Sequence, residues 1–223
     1  MHPLLQERLL HDFLGINRKL DKEIHSNGAV DFIWNPPYIP GNRLGENRTP
    51  NNWEPEAHIE AFLNPLVDNQ YVTKEVIGED TSGKYNVYKF TFEPQNYNKT
   101  LLITSCIHGN ETTGFFDMCH ILNLLVNQWE KYPQLTYLRK NVRLIYVPMV
   151  NPWGFANQKR ENVNNVDLNR NFDYNWKAGK GTDPDKSNFK GKSPFSEKES
   201  QNMRSLVPVS YTHLRAHETG RNL

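Results

Sequence analysis

Two continuous apolar runs, residues 101–107 and 142–150, bracket an amphipathic stretch at 115–129. Short uninterrupted apolar runs bounded by turn signals read as buried strands, and the amphipathic stretch between them reads as a helix. Strand, helix, strand is a βαβ unit, which sets the two strands parallel with their carboxyl ends on one edge. In open α/β sheets, sites form beyond those ends. The segments that leave the two strands are I-H-G-N-E-T-T-G at 107–114 and N-P-W-G-F at 151–155, so both are expected at a single edge.

The rest of the chain is read around this unit. Residues 54–66 pattern as a helix. Residues 71–77 and 84–92 pattern as strands joined by the turn cluster G-E-D-T-S-G, a link too short for a crossover, so they form an antiparallel pair. The resulting class is α/β, with a mixed, largely parallel sheet flanked by helices and residues 101–107 as its central strand. A short loop follows Pro133. The Lys/Gly/Asp/Ser stretch at 177–192 reads as a solvent-facing loop without function. Residues 194–206 start a helix, with Ser196 as N-cap and Glu199 closing a capping box. At the other end, leucines at helical spacing predict a docking or oligomerising helix over 3–25, ended by Asn27-Gly28. The Pro/Asn/Gly-rich residues 34–54 read as a linker. Three parts result: an N-terminal helix and linker at 1–54, a catalytic domain at 55–207, and a tail at 208–223.

Bulk properties narrow the function classes. The 223 residues carry a net charge of +1, so no nucleic-acid surface and no binder of anionic membranes is indicated. The mean hydropathy is −0.75, and no run approaches a membrane span. The N-terminus shows no secretory leader, which makes the cytoplasm the default location. The composition does not set an oligomeric state. Cys106 and Cys119 form no C-x-x-C pair and read as buried small hydrophobes.

His108 and Glu111 stand three apart in the turn after the first strand. An imidazole and a carboxylate at that spacing can reach one metal ion. Zinc accepts both and needs at least one further protein ligand if water is to hold an open position. Gly109 permits the sharp turn. The polar segment at 158–172, Q-K-R-E-N-V-N-N-V-D-L-N-R-N-F, carries Arg160 and Arg170, whose guanidinium forks suit a carboxylate. His58 and His120 are not expected to be ligands. Asp167 and Asn171 read as residues that hold the loop through backbone hydrogen bonds, and Trp153 and Phe172 as packing residues.

Taken together, I-H-G-N-E-T-T-G, N-P-W-G-F, R-E-N-V-N-N-V-D-L-N-R-N-F and F-K-G-K-S-P-F-S-E-K-E-S resemble, in order and spacing, the carboxypeptidase A-like zinc metallocarboxypeptidases over about residues 55–207. The second departs from the family's pattern, which has Asp where Trp153 stands. The resemblance implies the carboxypeptidase fold, one zinc ion, and a peptide substrate with a free C-terminal carboxylate, cell-wall peptides included. It implies His108 and Glu111 as zinc ligands, Arg160 as the arginine that polarises the scissile carbonyl, and Asn169 with Arg170 as the grip on the terminal carboxylate. Two rivals remain: a deacylase similar to succinylglutamate desuccinylase and aspartoacylase, which share H-G-N-E and D-L-N-R, and a non-catalytic carboxylate-binding relative.

The family's third ligand, a histidine after the S-E-x-E helix, has no assignable match here, nor do its downstream tyrosine and its general-base glutamate. Residues 209–219, V-S-Y-T-H-L-R-A-H-E-T, read in one frame as a transposase-end sequencing adapter. On that reading His213 and His217 are accidental and the 223-residue chain is a fragment, expected to bind zinc weakly and to lack peptidase activity.

Overall fold

The computed structural model describes residues 53–207 and, by backbone alone, two short strands further upstream. Those two, β1 (Lys22–Ile24) and β2 (Val30–Phe32), pair antiparallel. Residues 22–24, expected within the N-terminal helix, are therefore strand. The remainder of that helix, most of the linker and the 208–223 tail lie outside the described residues.

From residue 53 the elements run α1 (Pro55–Phe62), α2 (Asn64–Val67), β3 (Val72–Glu79), β4 (Asn86–Phe92), β5 (Lys99–Thr104), α3 (Thr113–Asn127), α4 (Pro133–Asn141), β6 (Val142–Val147), α5 (Pro152–Asn157) and α6 (Lys198–Leu206). The four strands form a mixed open sheet in the order β3-β4-β6-β5. Strands β3 and β4 form the expected antiparallel pair, β4 runs antiparallel to β6, and β5 lies parallel to β6 as the βαβ reading requires. Among the described residues β6 is thus interior. The strand expected at the centre, β5, lies at the end of the order, with Leu101 42% exposed.

Alternation along the strands feeds two cores. Phe90, Phe92, Leu144 and Tyr146 pack with Ile59, Phe62 and Leu63 of α1 and its end, and with Phe115, Leu122 and Leu125 of α3. Val87 and Val147, on the opposite face, pack with Leu168 and with Met203 of α6. Helix α4, where the sequence suggested a short loop, begins at Pro133; proline at a first helical position costs no hydrogen bond, so Pro133 marked a start.

Helix α6 starts one residue later than its capping signature implied. Its N-cap is Glu197, and no side chain caps it. Ser196 Oγ instead donates to Glu197 Oε1 (2.7 Å), and the Glu199 carboxylate accepts the Thr81 N–H (3.1 Å) and hydroxyl. The 177–192 stretch is mostly exposed, but Lys190 is not. Its Nζ donates to the carbonyls of Trp176 (2.8 Å) and Gly179 (2.7 Å), and the residue is 5% exposed.

Candidate metal centre

The site forms where β5 and β6 end. Pairing continues beyond both strands: Ser105 N–H donates to Val147 O (3.1 Å), Val150 N–H to Ser105 O (3.1 Å) and Asn151 N–H to Cys106 O (3.0 Å). Cys106 then turns the chain with a left-handed φ of 52°, so β5 stops at Thr104, short of the apolar run that announced it. Gly109 serves a purpose other than the turn expected of it. A Cβ there would stand 2.0 Å from the Gly154 carbonyl carbon and 2.2 Å from the Phe155 nitrogen, so two backbones meet where only hydrogen fits.

Asn151, fully buried, joins these segments. Its side chain accepts from Gly154 N–H (2.9 Å), capping α5, and donates to the carbonyls of Arg160 (3.4 Å) and Glu161 (3.0 Å). The next backbone bonds, Lys159 N–H to Gly154 O (2.8 Å) and Asn110 N–H to Lys159 O (3.1 Å), lay the start of the arginine-bearing loop against the 107–112 turn.

His108 is 4% exposed. Its Nε2 lies 3.0 Å from Asp167 Oδ1, and its Nδ1 lies 3.0 Å from Glu111 Oε1. The second contact is not a hydrogen bond, for Nδ1 has no hydrogen-bond partner. An N–H at Nε2 donating to Asp167 leaves the Nδ1 lone pair free, and a carboxylate oxygen stands beside it. An orphaned buried nitrogen next to a carboxylate fits a zinc ion, with Asp167 fixing the tautomer from behind.

Arg160 spans the two acids. Its Nη1 lies 3.1 Å from Glu111 Oε1 and its Nη2 lies 3.1 Å from Asp167 Oδ2. Asp167 therefore does more than hold its loop. It accepts the Asn169 N–H (3.0 Å) as expected, and it also joins His108 to Arg160. Burial pushes the Asp167 carboxyl up, but the His108 hydrogen bond and the charges of His108 and Arg160 prevail and hold it below the usual carboxylate range. For His108, burial depresses the imidazole, while the hydrogen bond and charge of Asp167 and the nearby Glu111 prevail and raise it. The sequence reading of Asp167 as a loop-holding residue missed this role; the one local signal is V-D-L, where Val166 and Leu168 are both buried and the acid between them is 1% exposed.

Asn169 and Arg170 lie on a single 3-10 turn, Leu168–Arg170, capped by Asp167. They share one loop with Arg160, and Leu168 anchors that turn in the second core. Asn171 holds the loop as read from sequence, with Nδ2 donating to Lys190 O (2.9 Å) and Ser193 O (3.1 Å). Phe172 packs edge-on against Phe195, with ring centroids 5.7 Å apart. His58 sits in an aromatic cluster, its ring 5.0 Å from Phe155 and 5.8 Å from Trp53. His120 is exposed on α3. Among the described residues no further His, Cys, Asp or Glu completes a metal-binding group with His108 and Glu111, and none of the helices is long and apolar enough to cross a membrane.

The chain matches the zinc carboxypeptidases, peptidase family M14, over residues 59–216. Mouse carboxypeptidase M is 43% identical over 75 residues, 30% of this chain and 17% of that protein. Carboxypeptidase SOL1 of Arabidopsis thaliana is 39% identical over 66 residues, 30% of this chain and 13% of that protein. In fold, carboxypeptidase A of Helicoverpa armigera superposes with a TM-score of 0.59 at 24% identity, covering 69% of this chain and 41% of that one. Thrombin-activatable fibrinolysis inhibitor does so with a TM-score of 0.54 at 24% identity, covering 68% and 40%. The chain thus spans well under half the length of each of these relatives. His108, Glu111, Arg160, Asp167, Asn169 and Arg170 all fall inside the matched segment, and by that match the chain belongs to the zinc carboxypeptidase family.

Proposed function

We propose that this chain supplies the His108–Glu111 part of a one-zinc site in an enzyme that removes C-terminal residues from peptides. The observation that carries this reading is Nδ1 of buried His108, which makes no hydrogen bond and stands 3.0 Å from Glu111 Oε1, with Asp167 on the opposite ring nitrogen. A bound zinc supplies Lewis acidity and an activated water. The chain's own residues do the rest. Asp167 keeps the imidazole in the tautomer that presents Nδ1. Arg160 brings a guanidinium beside the ligand carboxylate, where it can stabilise charge developing on a carbonyl oxygen. Asn169 and Arg170 hold the peptide's terminal carboxylate, which makes the site select chain ends.

Zinc titration of the chain against a competing chelator tests the first part. Binding is expected to disappear in His108→Ala and to survive His120→Ala, and binding indifferent to His108→Ala overturns the reading. Substrate class is tested by offering hippuryl-type peptides and N-acyl amino acids to the full-length, zinc-loaded enzyme of which this chain supplies part. Cleavage confined to the peptides supports the carboxypeptidase, and cleavage confined to the N-acyl amino acids supports the deacylase.

A further inference from the structure

The loop that carries Arg160, Asp167, Asn169 and Arg170 has no regular structure apart from one 3-10 turn. Something else must fix its shape, since an irregular segment without side-chain ties samples many conformations. Two buried asparagines close it, one near each end. Asn162 Oδ1 accepts the N–H groups of Asn164 and Val166 (both 3.1 Å). Asn171 ties the far end to the 190–196 segment, including Ser196 Oγ (2.9 Å).

A single residue joins the two asparagines. Glu197 is 4% exposed. Its Oε2 accepts from Asn162 Nδ2 (2.8 Å) and Asn164 Nδ2 (2.9 Å), while its backbone N–H donates to Asn171 Oδ1 (3.2 Å). Its other oxygen takes the Ser196 hydroxyl, and that same oxygen atom of Ser196 receives Asn171 Nδ2. The carboxylate is thus an acceptor at both oxygens, with three side-chain donors converging on it. No helix-capping duty explains this, since the side chain caps nothing in α6.

We propose that Glu197 is a positioning residue, which clasps both ends of the 162–171 loop so that Asp167 and Arg160 stand against His108 and Glu111. The proposal rests on the metal-centre reading of that site, and its test runs without metal. In a nitrogen-15 spectrum of the zinc-free chain, Arg160, identified by its loss in Arg160→Lys, is expected to give a shifted and exchange-protected guanidinium signal because it is forked between two acids. In Glu197→Ala that signal moves to the position of a solvated arginine and exchanges about tenfold faster or more, as protected protons do once the local structure opens, while the amides of β6 keep their shifts. Glu197→Gln, which retains an acceptor for Asn162 and Asn164, restores the protected signal. An Arg160 signal unchanged in Glu197→Ala overturns the proposal. Should that variant lose its β6 amides, Asn164→Ala removes one clasp bond from an exposed side chain, and an unmoved Arg160 signal there overturns it as well. A wild-type chain that fails to bind zinc defeats the metal reading but leaves the Arg160 signal where it is, so the two failures are told apart.

Discussion

Nε2 of His108 and Oδ1 of Asp167 are 3.0 Å apart across 59 residues of sequence. This contact fixes which ring nitrogen is offered to a metal. Replacing Asp167 by Asn keeps the shape and removes the charge. Zinc affinity is expected to fall about 10- to 100-fold, the usual cost of losing a carboxylate behind a metal-bound histidine. Chelator competition on Asp167→Asn and the wild type measures it.

Gly109→Ala places a methyl 2.0 Å from backbone of Gly154, which cannot swing aside as a side chain could. The expected destabilisation is about 1–3 kcal/mol, the range for overpacking a closed contact. Urea unfolding gives the number. The same variant should lose zinc binding out of proportion, because Gly109 neighbours His108.

His58 and His108 push the pH dependence of stability in opposite directions. Burial holds the His58 imidazole below its ordinary value of 6.5. Below pH 6.5 the unfolded chain takes up a proton there that the folded chain refuses, so this contribution is present above pH 6.5 and lost as pH falls. His108 is raised, so its contribution is present at low pH and lost as pH rises through its folded value. The stability difference between wild type and His58→Leu isolates the first. That difference should shift toward the variant as pH falls from 7 to about 5, and a constant difference counts against a buried neutral His58.

Both thiols are expected to be inert in the folded chain. Cys106 and Cys119 are 4% and 2% exposed, and burial pushes the Cys106 thiol up to about 12. The thiolate is the reactive form, so a disulfide reagent should label neither until the chain unfolds. Labelling followed across a urea series should coincide with loss of tertiary signal.

The parallel β5–β6 pair, the β3–β4 hairpin and the helix between the parallel strands were legible because apolar period and turn residues are local signals. His108, Glu111 and Arg160 were singled out by residue type and motif, and the fold brings the three side chains together. What escaped the sequence was set by partners distant in the chain. Ser196 and Glu199 have the spacing of a capping box, yet tertiary contacts won: Asn171 engages the first and Thr81 the second. Lys190 lies in a stretch that looks solvated, and only the folded loop shows the two carbonyls that receive its ammonium. Asp167 was legible as a loop residue but not as the partner of His108, since no local pattern links positions so far apart.

The bonds from Thr81 to Glu199 close a loop of 118 residues, and Glu199 Oε2 in turn lies 3.4 Å from Asn162 Nδ2. Contacts so remote in sequence form after local ones, because their closure entropy must be met before they return any energy. The sheet and its first helices can therefore organise while the arginine-bearing loop is still unshaped. In a refolding experiment strand signals should recover before the Arg160 fork does, and undocking of α6 should release that fork first among the described contacts of the site.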